Sequence, residues 1–372
     1  MATLEIDNVS KKFGSDQVLD DISLKVGDGE TLVLFGPSGA GKTVLLRIIS
    51  GLVAGDSGRV LIDDQDMHGV EAEHRGIGMA FQNFALFPHM SAFDNIASPL
   101  DAHRESRSAI KEGVERVARL LKIEHVLGHA PRELSNGQKQ RTALARALAA
   151  SPPLLLLDDP LRNVDAKLRF EMRLELPRLL VGQGTTVIYV TQDYKEAMAL
   201  GDRIAVLSEG TVQQLGTPAE VYLSPASLDI ARLFGDPVIN TFDVTPQRDE
   251  NGLYVELSGV SLRLNESQSA SLDRPSILAV RPESIRFCEA SQPDAIPIFI
   301  ETETPLNEKT VTLALTEGKR EILISRPSGT TAPSEGRAFV SVDANRALIF
   351  DRNTGQMVDQ HRQGLGDAGQ AA

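Results

Sequence analysis

Residues 36–43 read Gly-Pro-Ser-Gly-Ala-Gly-Lys-Thr and follow directly on the apolar run 31–35. Their types and spacing suit the holding of a polyphosphate. Gly36, Gly39 and Gly41 let the backbone curl, so that N–H groups of the stretch point into one concavity at a helix N-terminus. Lys42 places a point charge on the β- and γ-phosphates, and the Thr43 hydroxyl can ligate Mg²⁺. Pro37, Ser38 and Ala40 complete the candidate loop. A glycine turn that merely carries a lysine would lack the buried strand before it and the helical pattern after it.

Other residues could complete such a site. Four leucines at 154–157 form a short, fully apolar strand that ends in Asp158 and Asp159. Carboxylates at the C-terminal end of a buried parallel strand are placed to handle a nucleotide-bound Mg²⁺ and an attacking water. A second such strand, 187–190, runs into Thr191, Gln192 and Asp193, and Gln82 closes an expected strand at 80–82. Ser135 reads as the N-cap of a helix opening Ser135-Asn136-Gly137-Gln138. It offers a second helix N-terminus to something negative, although an ordinary capped helix has the same pattern. Phe13 stands in a polar turn, where it can either stack on an adenine ring or join a core.

The elements that must position these residues follow from periodicity. Residues 4–9 and 18–26 alternate as an antiparallel pair, 58–62 and 77–81 read as strands, and 108–123 reads as a helix. Buried strands at 31–35, 154–157 and 187–190 predict a doubly wound α/β core. The apolar loop Phe84, Leu86, Phe87, Pro88 is either misread core or a docking surface. Pro177 lies inside the helix pattern 166–181, where an interior proline costs about 3 kcal/mol, so a kink or early end is expected there. Past residue 235 helical periodicity gives way to short alternating runs separated by turn residues, an all-β, barrel-like domain over 236–353. From 354 to 372 the chain is rich in Gly, Gln and Ala and reads as a frayed tail.

Composition narrows the function classes. A chain of 372 residues holds two or three domains, each able to bury a core. A net charge of −13 argues against a general nucleic-acid binder. The single cysteine, Cys288, rules out an internal disulfide and suits a reducing cytosol. No apolar run approaches the roughly eighteen residues of a membrane span, and a signal-peptide core is not expected at the N-terminus. Any service to a membrane is then performed from outside the bilayer.

Taken in series, these stretches resemble the ATP-binding subunits of ABC transporters, most closely those of bacterial carbohydrate importers of the maltose and glycerol-phosphate type. The resemblance runs unbroken from residue 4 to about 358. It implies a P-loop NTPase core over 1–235 with antiparallel-β and helical subdomains, the latter at about 88–150, followed by an OB-like β domain. It also assigns roles. Phe13 falls at the adenine-stacking position, and residues 36–43 are the Walker A motif. Gln82 is the glutamine that ligates Mg²⁺ and senses the γ-phosphate. Ser135, Gly137 and Gln138 belong to the signature that covers a partner subunit's ATP. Asp158 is the Walker B acid, and Asp165 lies in the dimer-contacting loop 162–165. The carbohydrate subgroup is suggested by Phe81-Gln82-Asn83-Phe84-Ala85-Leu86-Phe87-Pro88-His89, by Asp165-Ala166-Lys167-Leu168-Arg169 and by Val280-Arg281-Pro282-Glu283. The implied partners are a second ATPase subunit, two permeases docking near Gln82 and the loop to Pro88, and, indirectly, a binding protein. The implied place is the cytoplasmic face of the inner membrane, with ATP and Mg²⁺ as cofactors.

Two catalytic positions depart from that family. The residue after Walker B is normally the glutamate that activates water, and here it is Asp159. The switch position is normally histidine, and here it is Gln192. Asn136 also replaces a signature glycine. Aspartate is one methylene shorter than glutamate, and a misplacement of about 1 Å can cost ~10²-fold in rate. Glutamine can donate to the γ-phosphate but carries no charge and relays no proton. Good ATP binding with slow hydrolysis is expected. Three arrangements fit: a heterodimer with a consensus partner, a slow homodimer, or a nucleotide-binding regulator that no longer transports. A soluble ABC ATPase of the DNA-repair or translation type is the rival class. It would bring paired cassettes or a coiled-coil insertion, and basic surfaces.

Overall fold

The computed structural model describes residues 2–264, 274–330, 332–333 and 335–358, and they fall into two compact units that divide between Ala219 and Glu220. The expected boundary was 235. The last α-helix among the described residues, Leu228–Leu233, therefore belongs with the second unit.

The first unit is built on two sheets. One is antiparallel, formed by β1 (Leu4–Phe13), β2 (Asp16–Val26), β4 (Ser57–Ile62) and β5 (Gln65–Asp66) in the order β2-β1-β4-β5. The other has six strands. They are β3 (Thr31–Phe35), β6 (Ile77–Ala80), β7 (Leu154–Asp158), β8 (Thr186–Thr191), β9 (Arg203–Ser208) and β10 (Thr211–Gly216), in the order β10-β9-β3-β8-β7-β6. All its neighbouring pairs are parallel except β9–β10. β3, β7 and β8 are buried along their whole length, which is why they read as continuous apolar runs rather than alternating ones.

Register decides where the chemistry goes. Phe35 pairs with Thr191, Asp158 with Val190, and Ala80 with Leu157. The segments that leave β3, β8, β7 and β6 therefore emerge along one edge of one sheet. A slip of the apolar β7 against β8 would carry Asp158 away from the loop after β3.

Helices α1 (Lys42–Ile49), α2 (Ala92–Ala102), α3 (Arg107–Leu120), α4 (Asn136–Ala149), α5 (Ala166–Gln183) and α6 (Tyr194–Leu200) complete the unit, with α2, α3 and α4 packing on one another. Two expectations require correction. β6 ends at Ala80, so Gln82 sits in the turn after the strand. Phe84 N–H donates to Phe81 O across 3.1 Å, and Arg146 holds the carbonyls of Phe84 and Ala85, both residues at positive φ. Pro177 does not end its helix, since α5 continues to Gln183. Leu168, Met172, Leu176 and Leu180 are all buried at four-residue spacing, so packing on both sides of the proline outweighs its missing hydrogen bond.

Among its described residues the second unit holds three antiparallel sheets, of three, three and five strands. Their inward residues, among them Phe242, Val255, Leu278, Ile298, Ile324 and Ile349, share one core. Arg281 of the Val-Arg-Pro-Glu motif is buried and donates to the carbonyls of Phe234 and Tyr222. Residues 354–358, expected to begin the frayed tail, are instead tied down: Leu228 N–H donates to Gly355 O, and Val358 N–H to Ile349 O. The rest of that expected tail, 359–372, lies outside the described residues.

Candidate functional site

The chain leaves β3 at Phe35, curls through residues 36–41 and enters α1 at Lys42. Gly36, Gly39 and Gly41 all have positive φ, at 152°, 85° and 93°. At Gly36 a Cβ would lie 2.0 Å from the Leu207 carbonyl oxygen, and at Gly41 it would meet Leu19 at 2.6 Å and Val18 O at 2.7 Å. Only glycine fits at those two points. Lys42 is buried, and its Nζ donates to Gly36 O at 2.8 Å and Pro37 O at 2.7 Å. Burial lowers its pKa, opposed by the charges of Asp159 and Asp158.

Ser38, Gly39, Ala40, Gly41, Lys42, Thr43, Gln82, Asp158, Asp159 and Gln192 line a single cleft of about 240 Å³. Thr43 Oγ1 donates to Asp158 Oδ1 across 3.1 Å. Burial pushes the Asp158 carboxyl above its ordinary value, opposed by the Thr43 hydrogen bond and by Arg47 and Lys42. Burial does the same to Asp159, opposed first by Arg162. Asp159 has φ 49°, and its N–H donates to Val190 O at 3.0 Å, which turns the chain at the end of β7.

Phe13, Ser135, Gly137 and Gln138 lie outside this cleft. Phe13 ends β1 half exposed, with Lys11 Nζ 5.4 Å from its ring centre. Ser135 caps α4: its Oγ accepts from Gln138 N–H at 3.3 Å, and Gln138 Oε1 accepts from Ser135 N–H at 2.8 Å. Ser135 and Asn136 are exposed, whereas Gly137 packs so that a Cβ would meet Asn163 O at 3.1 Å.

Arg162 is a lining residue that sequence reasoning did not single out. Its Nη1 is 3.7 Å from Asp159 Oδ2, one turn away in sequence. The three-residue spacing from Asp159 was the available signal. A guanidinium in that loop adds a second cation to the cleft beside Lys42.

This arrangement has the shape and charge to take a polyphosphate and brings carboxylates to its far end. Comparison with known proteins gives the family of the chain. Residues 19–162 match the family described as ABC transporter. The sn-glycerol-3-phosphate import ATP-binding protein UgpC of Escherichia coli K12 is 39% identical over 361 residues, covering 96% of this chain and all of the relative. The chain belongs to the ABC transporter ATPases. Within them UgpC is named as an import ATP-binding protein. A further relative is the osmoprotective compounds uptake ATP-binding protein GgtA of Synechocystis, 38% identical over 364 residues, 95% of this chain and 98% of the relative. Among solved structures, the dimeric post-hydrolysis state of the ATP-binding cassette MJ0796 bound to ADP and Pi aligns with TM-score 0.55 and 32% identity, over 58% of this chain and 98% of that one. This ABC subunit couples ATP hydrolysis to import. Among its described residues no helix is long and apolar enough to cross a membrane.

Proposed function

We propose that this subunit powers uptake of a carbohydrate or polyol as half of a nucleotide-bound ATPase dimer beneath two permeases, and that its own site binds Mg-ATP well but hydrolyses it slowly. One observation carries the reading. Lys42, Thr43 and Asp158 line one cleft with Thr43 hydrogen-bonded to Asp158, which supports a phosphate and metal grip, and Asp159 and Gln192 line the same cleft at the positions where water would be handled.

The donor set suits Mg²⁺, which takes hard oxygen ligands. The Thr43 hydroxyl and the Asp158 carboxylate already stand within hydrogen-bond distance, and Gln82 lines the same cleft. These residues would hold the ion, which neutralises charge on the transferred phosphoryl group when bound. Lys42 exchanges its carbonyl partners for phosphate oxygens. Asp159 orients the water, one methylene short, and Gln192 donates to the γ-phosphate without supplying charge.

The exposed cap at Ser135, with Gly137 behind it, is suited to cover the nucleotide of a second subunit, while this chain's own nucleotide is covered by that partner's cap. A partner with consensus glutamate and histidine would leave one fast and one slow site. Docking of the permeases is supported by a groove of about 620 Å³ lined by Phe81, Phe87, Ser98, Pro99, His103 and Arg146, adjoining the loop from Gln82 to Pro88. Such docking would hold the chain at the cytoplasmic face of the membrane. The cargo reading is supported by the relatives' names, which specify glycerol phosphate and osmoprotective compounds.

Co-purifying the intact transporter and counting its kinds of ATPase subunit tests the arrangement. Two kinds are expected, and transport-competent particles without this chain would overturn it.

A further inference from the structure

The loop 162–165 is gripped from two sides. From α4, Gln140 Oε1 accepts from Asn163 Nδ2 at 3.2 Å, and Gln140 Nε2 lies 3.4 Å from Asp159 O. From α5, Arg169 Nη2 donates to Arg162 O and to Val164 O, both at 3.1 Å.

The same guanidinium faces the segment that carries Gln192. Its Nη1 lies 3.9 Å from Asp193 Oδ2, and its Nε lies 4.0 Å from Glu196 Oε1. That Nε is buried and finds no hydrogen-bond partner among the described residues. Glu196 is buried, and its Oε2 accepts from Tyr189 OH and Thr191 Oγ1, both at 2.9 Å. Asp193 N–H donates to Thr191 Oγ1 at 3.0 Å, and the Asp193 side chain caps α6 at Lys195 N–H and accepts from Arg173 Nη2 at 3.0 Å. Gln192 is thus flanked on both sides by residues locked into one network, and Arg169 is the member of it that also holds the 162–165 loop.

We infer that Arg169 is a positioning residue that couples the 162–165 loop to residues 191–196, so that a second subunit packing on the loop shifts Gln192 against the nucleotide. The planar fork serves two carbonyls and two carboxylates at once, which one ammonium group cannot do. The orphaned Nε marks where the fork tightens: a movement of about 1 Å brings it within hydrogen-bond distance of Glu196. The inference rests on the proposed roles of the loop as a dimer contact and of Gln192 at the γ-phosphate.

The test uses the full chain with Mg-ATP, comparing wild type with Arg169→Lys, Arg169→Met and Gln192→Ala. Amide hydrogen exchange is followed at 162–165 and at 191–196. In the wild type Mg-ATP should slow both segments together. In Arg169→Lys the loop should still respond while 191–196 does not, and kcat should fall roughly 10- to 100-fold with KM unchanged. If Arg169→Met does not fold, Arg169→Lys carries the test, because it keeps the charge and the stem. Wild-type behaviour of Arg169→Lys, or segments that fail to respond together in the wild type, would overturn the coupling. Unchanged kcat in Gln192→Ala would instead sink the reading of Gln192 and leave the exchange result to stand or fall by itself.

Discussion

Thr43 and Asp158 are 115 residues apart in sequence, yet the Thr43 hydroxyl donates to the Asp158 carboxylate across 3.1 Å. The first opens the helix after one parallel strand and the second ends another, with β8 lying between them in the sheet. Two hard oxygen donors meeting at the mouth of a phosphate loop predict a specific loss. Thr43→Val should weaken Mg-ATP binding about 10-fold or more, the worth of a hydrogen bond to a charged group. Affinity for ATP in the presence of a chelator should barely change. Calorimetric titration with and without Mg²⁺ checks both.

The loop glycines differ in what a methyl group would meet. Gly36→Ala places Cβ 2.0 Å from Leu207 O, whereas at Gly39 nothing lies within 4 Å. Gly39→Ala should therefore cost only the left-handed backbone, about 1–2 kcal/mol. Gly36→Ala should cost more and abolish nucleotide binding, because the clash is with backbone and the loop itself must move. Melting temperature and nucleotide affinity, measured side by side, separate the two.

Burial raises the pKa of Asp158 in the folded chain. The stability such a group contributes is fully present below its unfolded pKa and is lost as pH rises through the folded value. Asp158→Asn removes that loss. Without nucleotide, the variant should melt higher than wild type at neutral pH, and the gap should close as pH falls toward the ordinary carboxylate value of 3.8. With Mg-ATP the order should reverse, because the variant forfeits a metal ligand. Thermal melts across pH check the sign.

Lys42, Thr43 and the Ser135 cap were legible in the sequence because strand-loop-helix and capping-box patterns are local, settled within a few residues. The pairing of Asp158 beside Val190 was not, since uniformly apolar strands such as β7 carry no alternation to fix a partner or a register. Arg162 escaped notice for a related reason. An arginine in a loop gains meaning only when the fold brings its side chain back to Asp159. Pro177 does not bring the early helix end that local propensity allowed, because the buried Leu176 and Leu180 hold its helix.

Ser135 is exposed and outside its own chain's cleft, while its side chain caps α4. Ser135→Ala should cost about 1 kcal/mol in stability, the usual worth of an N-cap. The isolated monomer should keep its affinity for Mg-ATP. ATP-driven association with a second subunit should weaken. Light scattering with nucleotide, set against monomer affinity, distinguishes a covering role from a purely helical one.

On the proposed reading the site grips triphosphate fully and handles water poorly. Single-turnover hydrolysis of Mg-ATP tests this most directly, comparing the chain carrying Asp159→Glu and Gln192→His with the unaltered chain. A carboxylate brought forward by about 1 Å and a restored imidazole predict a rate gain on the order of 10²-fold, with nucleotide affinity unchanged. Fast turnover by the unaltered chain, with no gain on substitution, would contradict it.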